Sequence, residues 1–266
     1  MTSLSQLTKG LLAMHNLRPK KRLGQNFLID DGVLQRIVSA GEILPGEKVL
    51  EIGTGLGVLT KELASRCREV VTVDTDKDML MIAEDVLKGF TNIKYVNESF
   101  LEWLEDEEFS STKKDIYFDK VVANVPYYIT SPIIEKLFSF DKKPKKIVLL
   151  VQKEVAERIV AKEGTVDYSS FSIFVQNRGE PSIASFVSRR SFLPPPNVDS
   201  AILVIKPFDQ PKYKIREELV RASFGKRRKM LRSALKDFAL DFEKAGIDPC
   251  RRGETLSLEE FERLSA

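Results

Sequence analysis

Lys48 to Ile52 (KVLEI) is a short apolar run of buried-strand type, and it leads directly into Gly53-Thr54-Gly55-Leu56-Gly57. Beyond the glycines, Val58, Leu59, Leu63 and Ala64 recur at the spacing of one helix face. A strand that becomes a helix through three glycines narrows the choice of folds sharply. Glycine alone takes the left-handed backbone of such a turn cheaply, and its missing side chain leaves the helix N-terminus open to a ligand. The alternation continues along the chain. Glu69 to Val73 reads as a second strand ending at Asp74, with a helix through Met79 to Leu87 and a third strand at Ile93 to Val96. Phe118 to Ala123 is a fourth strand, before a helix over Ser131 to Phe138, and Lys146 to Val151 a fifth, before a helix from Glu154. Phe171 to Val175 and Val198 to Ile205 are predicted as two more. Strands alternating with helices imply an α/β fold with a parallel sheet wound on both faces. Ligands then sit outside the carboxyl ends of the strands, where the strand order reverses. Gly53, Asp74 and Asn124 all fall at such ends.

Upstream, Asp30 is the predicted N-cap of a helix over Asp31 to Ala40. Residues 1 to 22 read as a loosely ordered basic lead-in: the first 29 residues contain no Asp or Glu, and Arg18 to Arg22 is RPKKR. Glu102 to Asp115 is acidic and polar, predicted as a helix and a surface loop. After Lys206-Pro207 the strand pattern stops. Ile215, Leu219, Val220 and Phe224, then Leu231, Leu235, Phe238 and Phe242, have helical spacing. The expected organisation is a first domain over residues 1–207 and a small all-helical domain over 208–266.

Composition excludes several chemistries. Cys67 and Cys250 are the only cysteines and His15 the only histidine, so a disulfide framework, a zinc site and a His-based triad are not expected. No apolar run approaches membrane-spanning length, and a cytoplasmic protein is expected. The net charge of +3 is too small to argue for nucleic acid by itself.

The glycine turn lacks the Gly-Lys-Ser/Thr of a P-loop, and Val58 stands where a dinucleotide fingerprint wants a small residue. Glu51 fits a methyltransferase better, as an acid placed near a ligand ammonium. Asp74, about 20 residues beyond the turn, is placed to accept hydrogen bonds from ribose hydroxyls. Asp76 and Asp78 are expected to be exposed helix-start charges. The stretch that chooses among nucleoside chemistries is Asn124 to Thr130, NVPYYIT. Pro126 fixes its own backbone and restricts Val125, Asn124 can donate and accept at once, and Tyr127 offers a flat face. An aromatic amine is a poor nucleophile because its lone pair is delocalised into the ring. Hydrogen bonds to Asn124 and a neighbouring carbonyl would localise that pair, and stacking on Tyr127 would hold the ring.

Five segments, LGQNFLID, LEIGTGLG, NVPYYIT, FLPPPNVDSA and FGKRRKMLRSAL, occur in the order of the ribosomal RNA adenine dimethyltransferase family, which the chain resembles from about residue 20 to its end. The resemblance implies a Rossmann-like, seven-stranded S-adenosylmethionine-dependent methyltransferase fold with a small C-terminal helical domain. It implies methyl transfer to two adjacent adenosines near the 3′ end of small-subunit rRNA, in a pre-ribosomal subunit, by a monomer needing no metal. Gln25, Asn26, Leu28, Gly53, Gly55, Asp74, Glu98, Ser99 and Asn124 would line the cofactor site. Asn124, Pro126 and Tyr127 would hold the base. The family usually has Glu where this chain has Asp74, and Asp near Glu98. Tyr128 stands where Asn is frequent, with no assigned role, and Phe192 is either a second wall for the base or core. Rival readings are a large-subunit adenine methyltransferase of the antibiotic-resistance type, a non-catalytic nucleic-acid-binding relative, and a nicotinamide-dependent reductase.

Lys226 to Arg232 (KRRKMLR) holds five basic residues in seven. Read as a helix, it exposes Lys226, Arg227, Arg228, Lys229 and Arg232 while Met230 and Leu231 anchor it. With RPKKR, Lys142 to Lys146 and Arg189-Arg190, these residues are expected to track RNA phosphates.

Overall fold

The computed structural model describes residues 3–20, 23–103 and 117–266. Lys21, Arg22 and most of the acidic 102–115 stretch lie outside the described residues. The chain forms two compact units: Met1–Lys153 with Ile183–Pro207, and Glu154–Ser182 with Phe208–Ala266. The boundary read at Pro207 marks one of three places where the chain passes between them, and residues 154–182, whose last four begin an edge strand of the sheet, group with the C-terminal helices.

In the first unit β1 (Phe27–Leu28) precedes α2 (Asp31–Gly41), and then β2 (Lys48–Ile52), α3 (Val58–Ala64), β3 (Glu69–Val73), α4 (Lys77–Val86) and β4 (Ile93–Val96) alternate. After the short α5 (Phe100–Trp103) come β5 (Lys120–Asn124), α6 (Thr130–Phe138) and β6 (Lys146–Gln152). The strands β7 (Gly179–Val187), β8 (Phe192–Leu193) and β9 (Ser200–Pro207) follow. The main sheet has seven strands in the order β4-β3-β2-β5-β6-β9-β7. β2 pairs parallel with β3 and β5, as does β5 with β6, but β9 runs antiparallel to β6. The sheet is therefore mixed, where the alternation alone predicts parallel strands throughout. Val49, Leu50, Val70, Val121, Val122, Leu149 and Leu150 in its middle are fully buried, as continuous apolar runs in a two-sided sheet should be.

The N-terminal segment is not a loose lead-in. α1 (Leu4–Met14) is closed by a capping box between Ser3 and Gln6. Leu11 and Leu12 pack against Phe27, Leu56, Met79 and Ile82. Asp30 caps α2 as expected, accepting the Val33 N–H. Phe171 to Val175, read as a strand, lies inside a helix, α8 (Ser170–Gln176), whose start is fixed by a Ser169/Ser172 capping box. The seventh strand is instead β7, in which Pro181 and polar residues on both faces (Glu180, Ser182 and Ser185) hide the strand signal.

The second unit contains α7 (Lys153–Val160, from its second residue), α8, α9 (Glu217–Gly225), α10 (Leu231–Ala234), α11 (Phe242–Ala245) and α12 (Leu258–Ser265). Tyr168, Ile173, Leu219, Leu231, Leu256 and Phe261 form its core. The Tyr168 hydroxyl donates to the Leu256 carbonyl at 3.2 Å, and its ring meets Phe224 edge-on.

Candidate functional site

The sheet order reverses between β2 and β5, and the ends of these two strands carry Gly53 and Asn124. Gly53 has φ +86°, and a Cβ there would lie 3.1 Å from the Asn124 carbonyl oxygen. Only a glycine lets the two strand ends come this close. The turn continues through Gly55 (φ +52°) and Gly57 (φ +78°), the latter capping α3.

Behind the turn lies a buried polar chain. Glu51 Oε2 accepts hydrogen bonds from Thr60 Oγ1 (2.6 Å) and Thr72 Oγ1 (2.7 Å). Because Thr72 donates to Glu51, Thr54 Oγ1 in the glycine turn donates to Thr72 Oγ1 at 2.6 Å. Glu51 is fully buried and its Oε1 has no partner; burial pushes its pKa up to about 8, against the pull of the two threonines. A neutral acid tolerates an orphaned buried oxygen far better than a carboxylate does. Glu51 thus braces the turn from within the fold and does not reach the cavity, contrary to its expected place beside a ligand ammonium.

Asp74 lies on the cavity side. Its Oδ2 accepts the Gly55 N–H (3.0 Å) and its Oδ1 the Asp76 N–H (2.8 Å). Burial raises its pKa despite those bonds and one from the Thr54 backbone. Asp76 is not an exposed helix-start charge: it caps α4 and is buried. It accepts from Lys20 Nζ (2.8 Å) and Gln25 Nε2 (2.7 Å), and these bonds outweigh burial and hold its pKa low. Lys20 also reaches the exposed Asp78 at 2.8 Å. Gln25 also accepts the Lys20 N–H (2.9 Å), so its amide links Lys20 to Asp76 at the start of α4.

At the end of β5, Asn124 Nδ2 lies a long 3.4 Å from the Asn26 carbonyl, while its Oδ1 has no partner among the described residues. Asn26 Nδ2 donates to the Gly24 carbonyl at 2.9 Å. Pro126 leads into a single 3₁₀ turn, Tyr127–Ile129, and its carbonyl accepts the Ile129 N–H (3.2 Å), leaving one lone pair free. The Tyr127 hydroxyl is 2.6 Å from Ser200 Oγ on β9, which pins the far end of the ring; burial raises its pKa.

These groups converge on a cavity of about 290 Å³. Gln25, Asn26, Gly53, Gly55, Asp74, Glu98, Ser99, Asn124, Pro126 and Tyr127 all line it. Leu28 does not: it faces an adjoining pocket of about 40 Å³ with Phe27 and Leu59. Phe192 is core, packed among Leu28, Val33 and Ile202. Sequence reasoning missed the apolar walls, Phe27, Phe100, Leu101 and Ile129, and Thr75 beside Asp74. Phe27 sits inside the LGQNFLID segment and Ile129 inside NVPYYIT; the others carry no signal beyond following a strand end.

The basic residues are less uniform than the sequence suggests. Lys226 to Met230 form the exposed link between α9 and α10 rather than a helix, and Leu231 alone is the buried anchor. Arg227 donates to the Val166 (2.9 Å) and Tyr168 (3.2 Å) carbonyls. Lys226, Arg228, Lys229 and Arg232 are exposed. The 142–146 lysines are already engaged: Lys142 lies 3.9 Å over the Tyr117 ring, Lys143 donates to the Phe140 carbonyl, Lys145 pairs with Asp119, and buried Lys146 pairs with Glu42. Among the described residues no cluster of His, Cys, Asp or Glu is arranged to hold a metal, and no helix is long and apolar enough to cross a membrane.

A family model described as ribosomal RNA adenine dimethylase matches residues 16–265. The chain is 40% identical to the ribosomal RNA small subunit methyltransferase A of Clostridium botulinum (strain Langeland), over 97% of each chain. It superposes on the crystal structure of a dimethyladenosine transferase from Plasmodium falciparum with a TM-score of 0.75 at 29% identity, covering 90% of this chain and 95% of that one. The 23S rRNA methyltransferase ErmE gives 0.68 at 26%, covering 90% and 98%.

Proposed function

The chain belongs to the ribosomal RNA adenine dimethylase family, and from that premise we propose that it methylates the exocyclic amines of two adjacent adenosines near the 3′ end of small-subunit rRNA in an assembling subunit, with S-adenosylmethionine as donor. The observation that carries this reading is the meeting of Gly53, Asp74, Asn124 and Tyr127 around one cavity at the reversal point of the sheet.

The donor-binding part of the cavity fits a nucleoside with an amino-acid tail. Gly53 and Gly55 bring bare backbone to its wall, and Asp74 offers the acceptor positions that ribose hydroxyls need. When bound, S-adenosylmethionine supplies an electrophilic methyl group on a sulfonium. The protein's own work is on the acceptor. Asn124 Oδ1 and the free lone pair of the Pro126 carbonyl accept the two N–H bonds of the adenine amine, which turns its lone pair out of conjugation. Tyr127, tethered to Ser200, fixes the plane of the base. No histidine base is required, because the amine loses its proton to water after transfer.

The reading is tested with tritiated S-adenosylmethionine and three acceptors: unmethylated small subunits, large subunits and free adenosine. Dimethyladenosine in small-subunit rRNA is the expected product. Label confined to large-subunit rRNA, or absent from adenine, overturns it.

A further inference from the structure

We propose that Tyr128 is a stacking platform for the nucleobase that flanks the adenine in the cavity, so that it contributes to selecting RNA rather than to the transfer itself. This rests on the reading above that the cavity receives an adenine from an RNA strand. Tyr128 is 63% exposed, and of the exposed large apolar side chains among the described residues it alone lines the cavity. An aromatic ring left in water beside a binding cavity is a site for a partner surface. Its hydroxyl has no partner among the described residues, unlike that of Tyr127, so no internal hydrogen bond accounts for its position.

The ring is nevertheless held. A Cβ at Gly24 would stand 3.3 Å from both Cδ1 and Cε1 of Tyr128 and 3.8 Å from Pro126 Cβ. Gly24 has φ +64°, so the glycine both makes the turn and leaves room for the ring. The Cδ1–Cε1 edge of the ring thus lies close to the Gly24 backbone, and its base sits in a 3₁₀ turn that follows Pro126. A ring held along one edge and otherwise largely in solvent needs little ordering when a base stacks on it.

RNA chemistry supplies the occupant. An enzyme acting on a base draws it out of the stack, and this strands the neighbours at the mouth without their stacking partner. Unstacked bases settle on exposed aromatic faces, an interaction that tolerates any base because each has a π-face. Tyr127 and Tyr128 then divide the work: the tethered ring inside orients the reacting adenine, and the exposed ring at the mouth takes the next base.

The test uses the full chain and unmethylated small subunits, with Tyr128→Leu and Tyr128→Phe. Tyr128→Leu is expected to raise the KM for subunits about tenfold, the effect of roughly 1.4 kcal/mol of lost stacking. Its dissociation constant for S-adenosylmethionine should stay at the wild-type value, which also shows that the variant folds. Tyr128→Phe, which keeps the ring, should restore the KM. In parallel, wild-type protein should quench 2-aminopurine placed next to the target adenine in a short RNA, and Tyr128→Leu should not. An unchanged KM in Tyr128→Leu overturns the inference, and so does an equal loss in Tyr128→Phe, which would assign the effect to the hydroxyl. If wild-type protein methylates no adenine at all, the proposed function falls and this inference with it; if it does while Tyr128→Leu matches it, only the inference falls.

Discussion

In the proposed transfer, Asn124 is the residue on which the chemistry depends most. Its Oδ1 is unengaged and its Nδ2 has only the 3.4 Å approach to Asn26, so the amide is available to a ligand. Asn124→Ala removes one acceptor of the amine and leaves the Gly53 turn and Asp74 in place. Its kcat is expected to fall by about 10²–10³, the scale seen when one preorganised transition-state partner is deleted. Donor binding measured by calorimetry should be preserved; near-normal turnover would remove Asn124 from the chemistry. Glu51 makes a different prediction, in stability. Its folded pKa of about 8 lies above the ordinary 4.5, so between those values the folded state holds a proton that the unfolded chain releases. Stability therefore falls as pH rises through that window, by up to about 1.4 kcal/mol per pH unit from this group. Glu51→Gln carries no such proton and should flatten the decline of melting temperature between pH 6 and 8. A slope identical to that of the wild-type protein would mean that Glu51 is ionised in the fold.

At the scale of elements, the link between α9 and α10 changes how the basic run works. A helix would have presented its cations in a row, whereas this link leaves Lys226, Arg228 and Lys229 in solvent and ties Arg227 to the carbonyls of Val166 and Tyr168. Neutralising Lys226, Arg228 and Lys229 together should weaken subunit binding. The slope of log affinity against log salt should become shallower by about 0.7–0.9 for each RNA phosphate those cations had neutralised. An unaltered slope would free that link of any role with RNA. Arg227 belongs outside that set, since its loss also strips hydrogen bonds from two carbonyls of the helical unit. Where local turn chemistry decides, elements were legible: Asp30 as a cap, the three-glycine turn, and the placement of Asn124 at a strand end. Where competing local signals exist, they were not. Phe171 to Val175 has strand-like residues, but the Ser169/Ser172 box and burial of Ile173 and Val175 make a helix. Leu4, Leu7, Leu11 and Leu12 have helical spacing that the basic character of the segment obscured.

Across the whole molecule, the residues of the candidate site were far more legible than the walls around them. Eight of the nine residues that the resemblance implied for the donor line the cavity, and of these Gly53, Asp74 and Asn124 also fall at strand ends that the alternation marks; Leu28 lies beyond it. Phe100 and Leu101 are ordinary apolar residues outside any motif, and their place in the wall comes only from tertiary packing. The antiparallel β9 and the inclusion of 154–182 in the second unit are likewise long-range outcomes that no local pattern encodes. This interleaving bears on how the protein is made. As the chain leaves the ribosome, β2 to β6 emerge with β9 still missing from beside β6, and Tyr168 and Ile173 appear dozens of residues before Leu231, Leu256 and Phe261 are available to cover them. Domains of large chains usually fold in turn during synthesis. Here the first unit is incomplete until Pro207 has been made, and the second until Leu256 and Phe261 have.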